Sequence, residues 1–208
     1  MTNTYPTYEL EDELKSYNYK SIVGIDEVGR GPGAGPVVSA AVIIPDEHIG
    51  KLIGRVKDSK KLSDKKRREL YPELISHCHY GIGVVGNITI DQINILEATK
   101  LAMKKAFKNL GIHGITKPDA ILVDGTVDLN FMNMPYKNII NGDNISISIA
   151  AASIIAKVAR DDIMEQLHYI YPIYGWIKNK GYLTKEHINA IEQYGVTEFH
   201  RLSFNKVG

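Results

Sequence analysis

The chain has 208 residues, of which 44% are hydrophobic and 24% are charged, and its formal net charge is +1. These proportions are typical of a folded globular protein and exclude a disordered, collagen-like or coiled-coil chain. The single cysteine, Cys78, excludes an internal disulfide framework and a cysteine-rich zinc site. No segment reaches the roughly 18 uninterrupted apolar residues of a membrane span, and the polar N-terminus does not resemble a signal peptide. We therefore expect a cytoplasmic protein.

Hydrophobic periodicity predicts an α/β protein. Two β-branched apolar runs, 21–26 and 37–44, flank the Gly/Pro-rich turn RGPGAGP and predict a hairpin-like pair of strands. The elements predicted after them are a strand at 80–89, a helix at 91–110, a strand at 120–123, and helices at 146–171 and 184–194. This order predicts an α/β layer structure at 20–165, followed by a small helical C-terminal portion at 166–208.

The charge is unevenly distributed, because nine Lys or Arg residues lie between Lys51 and Arg68, against only Asp58 and Asp64. Such a cluster can bind a polyanion even when the whole protein is nearly neutral. It can equally be the solvated face of a helix. Composition therefore permits a nucleic-acid partner without requiring one.

Acidic residues stand at the ends of predicted strands. Asp26 and Glu27 follow the first strand, Asp124 ends the AILV strand, and Asp143 precedes the long helix. Strand ends of an α/β sheet gather at one edge, where carboxylates would repel one another unless a cation neutralised them. Oxygen-only ligands suit Mg²⁺ or Mn²⁺. For Asp124, which precedes a glycine, an ordinary Asp-Gly turn is the alternative.

A series of short motifs resembles the type 2 ribonucleases H, the ribonuclease HII family. The motifs keep the family's order and together cover residues 21 to 204. They are GIDEVGRGP at 24–32, DSKKLS at 58–63, LVDG at 122–125, GD at 142–143, AASIIAKVARD at 151–161, KGY at 180–182 and HRLSF at 200–204. The related type 3 enzymes carry threonine where Arg30 stands, so type 2 is the better match.

The resemblance implies a ribonuclease H-like fold, with a mixed central β-sheet flanked by helices. It implies an endoribonuclease that hydrolyses the RNA strand of RNA–DNA hybrids and nicks duplex DNA on the 5′ side of embedded ribonucleotides. The products would be a 5′-phosphate and a 3′-hydroxyl. By resemblance, Asp26, Glu27, Asp124 and Asp143 would hold two divalent cations, Mg²⁺ or Mn²⁺, for two-metal-ion catalysis. We expect a monomer.

The resemblance also implies substrate contacts. Gly29, Arg30 and Gly31 would touch 2′-hydroxyls, which distinguish RNA from DNA, and Tyr182 would pack on the deoxyribose that follows the ribonucleotide. The residues expected near phosphates are Ser59, Lys60, Lys61, Ser153, Lys157 and Arg160. The last three share a helix face by their spacing. Neutralising the carboxylates is the alternative role for Lys157.

Two positions depart from the family pattern. Gly33 stands where a larger apolar residue is usual, so we expect a looser turn after Pro32, and Leu202 replaces a commonly basic residue. We expect no sliding-clamp peptide at the C-terminus. The rival hypotheses are another metal-dependent nuclease on the same fold, which would not need the Gly29–Gly31 loop, and a non-catalytic hybrid-binding module, which would lack an acidic position.

Overall fold

The fold is seen in a computed structural model, which describes residues 5–111, 117–205 and 207–208. Its strands are β1 (Ile22–Val28), β2 (Val37–Ile43), β3 (His79–Val85), β4 (Ala120–Asp124) and β5 (Tyr136–Ile139). Its α-helices are α1 (Glu9–Ser16), α2 (Asp46–Leu52), α3 (Asp64–His77), α4 (Asn87–Lys108), α5 (Ile147–Ile170), α6 (Trp176–Asn179) and α7 (Lys185–Tyr194). Short 3-10 helices cover Ser59–Lys61, Asn130–Met132, Gly142–Asn144 and Pro172–Tyr174.

The five strands form one mixed sheet in the order β3-β2-β1-β4-β5. The β1–β2 and β2–β3 pairs are antiparallel, whereas β4 runs parallel to both β1 and β5. The predicted pairing of the first two apolar runs is confirmed, with Asp26 opposite Ala40. Because β1 and β4 are parallel neighbours, the acidic residues that end them lie at the same edge of the sheet.

Helices cover both faces of the sheet, as the sequence predicts. Alternate residues of β2 point to opposite sides, since side chains in a strand alternate between the two faces. Val38, Ala40 and Val42 pack with α3 and α5, whereas Ala41 and Ile43 pack with α4. The N-terminal turn of α5 lies so close to β1 that a Cβ on Gly24 would be 2.3 Å from the Ser148 carbonyl carbon.

The structure corrects one predicted boundary. The strand predicted at 80–89 ends at Val85, and α4 begins at Asn87 rather than at Asp91. The alternating glycines and β-branched residues of this segment favour a strand locally, but Ile90 is fully buried as part of the helix. Asn94, with φ of 65°, then interrupts the helix. The helices predicted at 146–171 and 184–194 are confirmed, capped by Ser146 and Thr184.

The C-terminal portion packs on the end of α5. Met164 and Leu167 of that helix form an apolar cluster with Ala34, Tyr174 and Trp176. Helix α5 continues through the boundary predicted at 165/166 without a break, and the division into 20–165 and 166–208 stays a prediction. Within the described ranges no helix is long and apolar enough to span a membrane.

Candidate active site

Four acidic residues meet at the edge where β1 and β4 end. Asp26 and Glu27 belong to β1, and Asp124 is the last residue of β4. The Asp124 Oδ1 atom accepts a hydrogen bond of 2.7 Å from the Gly142 backbone N–H, which draws the 3-10 helix carrying Asp143 against the strand. The structure thus brings together residues that the sequence separates by more than a hundred positions.

Burial and the repulsion of neighbouring carboxylates raise the pKa values of Asp26, Glu27 and Asp143. The pKa of Asp26, whose residue is 5% exposed, is raised well above its usual value by burial and then by Glu27 and Asp124. The pKa of Glu27 is raised by burial, although Arg30 partly offsets this rise. Burial, Asp58 and then Asp124 raise the pKa of Asp143 to about 6. Positive charge added at this edge would relieve the repulsion.

The side chains fit a hard divalent cation. The donor set is made of carboxylate oxygens, which Mg²⁺ and Mn²⁺ prefer. The Glu27 Oε2 atom is buried and finds no hydrogen-bond partner among the described residues, as expected of an oxygen kept for a ligand. In those same ranges no three Asp, Glu, His or Cys side chains already form a closed ligand set.

A fifth carboxylate, Asp58, adjoins the cluster, and sequence reasoning missed it. Its Oδ1 caps the Ser59–Lys61 3-10 helix by accepting from the Lys60 N–H at 2.8 Å, and its proximity raises the pKa of Asp143. The available signal was its position directly before the Ser59-Lys60-Lys61 motif. Asp58 opens the DSKKLS motif, but the resemblance assigned it no role at the site.

The basic segment divides into structural and exposed charges. Arg67 is buried and donates to the carbonyl oxygens of Ser59 and Leu62, which shapes the 3-10 helix. The exposed Lys60 faces the acidic cluster. Burial would lower its pKa, but Asp143, Asp26 and Asp58 outweigh burial and raise it. The exposed Lys61 donates to the Asn144 side chain, beside Asp143.

Ser59, Ser153 and Lys157 each bond to another side chain of the protein. The hydroxyls of Ser59 and Ser153 are buried and 2.8 Å apart, and Ser153 offsets part of the rise in the pKa of Asp26. The Lys157 Nζ atom is 2.6 Å from Asp161 Oδ1. In this structure Lys157 therefore pairs with Asp161, rather than with the four carboxylates.

Arg160 requires a correction, because the structure does not let it reach a phosphate. The residue is fully buried, and its guanidinium donates to three backbone carbonyls, those of Ala34, Pro36 and Lys180. The spacing correctly placed it on the same helix as Ser153 and Lys157, but residues 34–36 cover that end of the face. Arg160 instead holds the turn that follows β1.

Arg201, which the sequence analysis did not select, supports the same turn from the other side. This fully buried guanidinium donates to the carbonyls of Gly29, Arg30 and Gly35, at 2.6, 3.0 and 2.9 Å. Burial, and then the charge of Arg160, lower the pKa of Arg201 to about 9. Gly29 is required here, since its φ is +91° and a Cβ would lie 2.1 Å from Arg160 Nε.

Tyr182 lies beside this turn. Its side chain is half exposed, and a Cβ on Gly31 would be 3.6 Å from its Cε1 atom. The looser turn expected at Gly33 is not found, because Gly33 N–H donates to Gly181 O and Gly33 O accepts from Arg201 N–H. The side chain of Leu183 takes the space that a larger residue at 33 would fill, 2.7 Å from a Cβ placed there.

Comparison with known proteins identifies the family. The sequence model of ribonuclease HII matches residues 23–207. Ribonuclease HII of Wolbachia sp. subsp. Brugia malayi (strain TRS) is 50% identical over 200 residues, which are 96% of this chain and 93% of the relative. The chain belongs to the ribonuclease HII family. Members of this family are metal-dependent endoribonucleases that cleave the RNA strand of RNA–DNA hybrids.

Solved structures confirm the predicted ribonuclease H-like fold. The ribonuclease H2 of Pyrococcus horikoshii OT3 aligns with a TM-score of 0.73 at 29% identity, over 90% of this chain and 95% of that one. The Bst ribonuclease HIII, in its complex with Mn²⁺, aligns with a TM-score of 0.71 at 24% identity, over 90% of this chain and 68% of that one. The second likeness shows the fold alone.

Proposed function

We propose that this ribonuclease HII family member nicks duplex DNA on the 5′ side of an embedded ribonucleotide, in addition to cleaving RNA in hybrids. One observation carries the proposal: the carboxylate cluster at the sheet edge is continuous with the Gly29–Gly31 turn and Tyr182. The acidic cluster can serve phosphoryl chemistry, and the turn and tyrosine can read the sugars beside the cut.

Asp26, Glu27, Asp124 and Asp143 are proposed to hold the cations, Mg²⁺ or Mn²⁺. Two such ions, when bound, would lower the pKa of an attacking water and stabilise the leaving 3′ oxygen. The protein's own contribution is to keep the carboxylates together against their repulsion, through the hydrogen bond from the Gly142 N–H to Asp124. Lys60 supplies nearby positive charge.

The substrate contacts follow from exposure. Lys60 and Lys61 are exposed beside the acidic cluster and are proposed to meet the phosphate backbone. The Gly29–Gly31 turn is proposed to seat the 2′-hydroxyl, because its backbone can approach a sugar closely. The half-exposed ring of Tyr182 then offers a face for the next, deoxy sugar. Arg160 is not among the proposed contacts.

The variant Asp124→Asn tests the catalytic part of the proposal. The asparagine Oδ1 atom can still accept from the Gly142 N–H, so the fold and hybrid binding in EDTA should be preserved. Loss of the charge should reduce cleavage by about a hundredfold or more at physiological Mg²⁺. The matched control is Asp128→Asn, an exposed carboxylate in the loop after β4. Near-wild-type cleavage by Asp124→Asn would reject the assigned role.

A further inference from the structure

A chain of buried polar side chains runs beneath Tyr182, outside the acidic cluster. The Trp176 Nε1–H donates to His187 Nε2 at 3.1 Å, and His200 Nε2 lies 3.1 Å from the same His187 atom. His187 Nδ1 lies 3.0 Å from the carbonyl oxygen of Tyr182. The Thr197 backbone N–H donates to His200 Nδ1 at 2.9 Å. His187 is fully buried, and His200 is 1% exposed.

One arrangement of protons satisfies every bond in this chain. Because Thr197 N–H is a donor, His200 must accept at Nδ1 and carry its proton on Nε2. That Nε2–H donates to His187 Nε2, whose single lone pair it shares with the Trp176 Nε1–H in a three-centre hydrogen bond. His187 then carries its proton on Nδ1 and donates it to Tyr182 O. Both imidazoles are neutral, since a proton on His187 Nε2 would oppose two donors.

The chain joins the two segments that flank the proposed sugar site. At one end it holds the backbone carbonyl of Tyr182, whose ring lies beside Gly31. At the other end His200 forms a β-bridge with Ala34 and directly precedes Arg201. The guanidinium of Arg201 holds the carbonyls of the Gly29–Gly31 turn. The separation between that turn and Tyr182 is therefore determined in part by the bond between the two histidines.

We propose that His187 and His200 are positioning residues that set the separation between the Gly29–Gly31 turn and Tyr182, and thereby the preference for a ribose–deoxyribose junction. This inference rests on the proposed function. A duplex with one ribonucleotide offers a 2′-hydroxyl on one sugar and a bare deoxyribose on the next, so it needs both contacts at the correct distance. A continuous hybrid offers many equivalent registers and is less sensitive to that distance.

Two substitutions at His187 remove different hydrogen bonds from this series of buried side chains. His187→Gln keeps an acceptor for Trp176 and His200 but loses the donor to Tyr182 O. His187→Asn keeps a donor near Tyr182 O but loses the acceptor for His200. The matched control is Tyr174→Phe, which removes the 2.9 Å bond from Tyr174 to Gly195 O in the same aromatic cluster and leaves the chain intact.

The measured quantity is the ratio of kcat/KM on a single-ribonucleotide duplex to kcat/KM on a continuous hybrid. Both His187 variants should lower this ratio by about tenfold, because small misplacements of a binding group are costly. Tyr174→Phe should change it less than about twofold. A general loss of stability affects both substrates alike and leaves the ratio unchanged. An unchanged ratio in folded His187 variants would overturn the inference.

A measurement on the wild-type protein gives a second test that does not depend on the variants folding. Imidazole ¹⁵N chemical shifts at pH 7 should show the Nδ1–H tautomer for His187 and the Nε2–H tautomer for His200. The opposite tautomers, or a charged ring, would contradict this arrangement of hydrogen bonds. If wild type cleaves hybrids but does not nick the single-ribonucleotide duplex, the proposed function fails. If it nicks that duplex and the variants keep the ratio, only this inference fails.

Discussion

Acid should destabilise this protein through His200, and the size of the effect follows from its burial. Burial, and then the neighbouring His187, lower the pKa of His200 from 6.5 to about 4. Between pH 6.5 and about 4, the His200 imidazole is therefore mostly protonated in the unfolded chain but mostly neutral in the folded chain. Stability contributed by the neutral ring is present above pH 6.5 and is lost progressively as the pH falls toward 4. Between pH 7 and pH 5 the loss amounts to about 2 kcal/mol.

Urea denaturation at pH 7 and at pH 5 measures this loss. The single tryptophan, Trp176, is buried in the same cluster and reports unfolding by fluorescence. His200→Gln provides the comparison, since its amide can still donate toward His187 but does not titrate. Titrating groups remote from His200 cancel between the two proteins, so wild type should lose about 2 kcal/mol more than the variant. Equal losses would refute the reasoning, because they would mean that the pKa of His200 is not lowered in the fold.

Further substitutions test the site and the packing. Replacing Lys60 and Lys61 with alanine should weaken binding to all duplexes alike and reduce the dependence of log K on log salt by about 1 per lysine; an unchanged slope would leave the basic segment without a phosphate role. Tyr182→Ala should slow nicking of the single-ribonucleotide duplex by about tenfold, whereas Tyr182→Phe should stay near wild type, because packing on a sugar uses the ring face. Gly24→Ala should cost about 2 kcal/mol or more in urea denaturation, since its Cβ would overlap the backbone of α5. Gly50→Ala, in open space on α2, should be neutral or stabilising.

The acidic cluster was predictable because it depends on local rules. Asp26 and Glu27 lie near the C-terminal end of β1 and Asp124 ends β4, and parallel neighbouring strands bring such ends to one edge. The pairing of β1 with β2 was predictable for a similar reason, since a glycine-rich turn separates two β-branched runs. The mixed sheet and the helices on both faces agree with the prediction, although the catalytic roles of the residues stay a proposal.

Tertiary contacts decided what the sequence could not show. Helical spacing placed Arg160 on a face with Ser153 and Lys157, but nothing in the spacing indicates that the turn after β1 covers that end of the face. The partners of His187 and His200 are likewise visible only after folding, because hydrogen bonds between segments distant in sequence leave no periodic pattern. The boundary between β3 and α4 was misplaced because local propensity favoured the strand.

The most direct test of the central claim is the position of the cut in a DNA duplex that contains one ribonucleotide. The substrate is end-labelled and incubated with the protein and Mg²⁺ or Mn²⁺, beside an all-DNA duplex, a continuous hybrid and an EDTA control. We predict a metal-dependent nick on the 5′ side of the ribonucleotide, which stays on the 5′ end of the downstream strand. The all-DNA duplex should not be cut. Cutting on the 3′ side, or equal cutting of all-DNA duplex, would contradict the proposed reading of the 2′-hydroxyl by the Gly29–Gly31 turn.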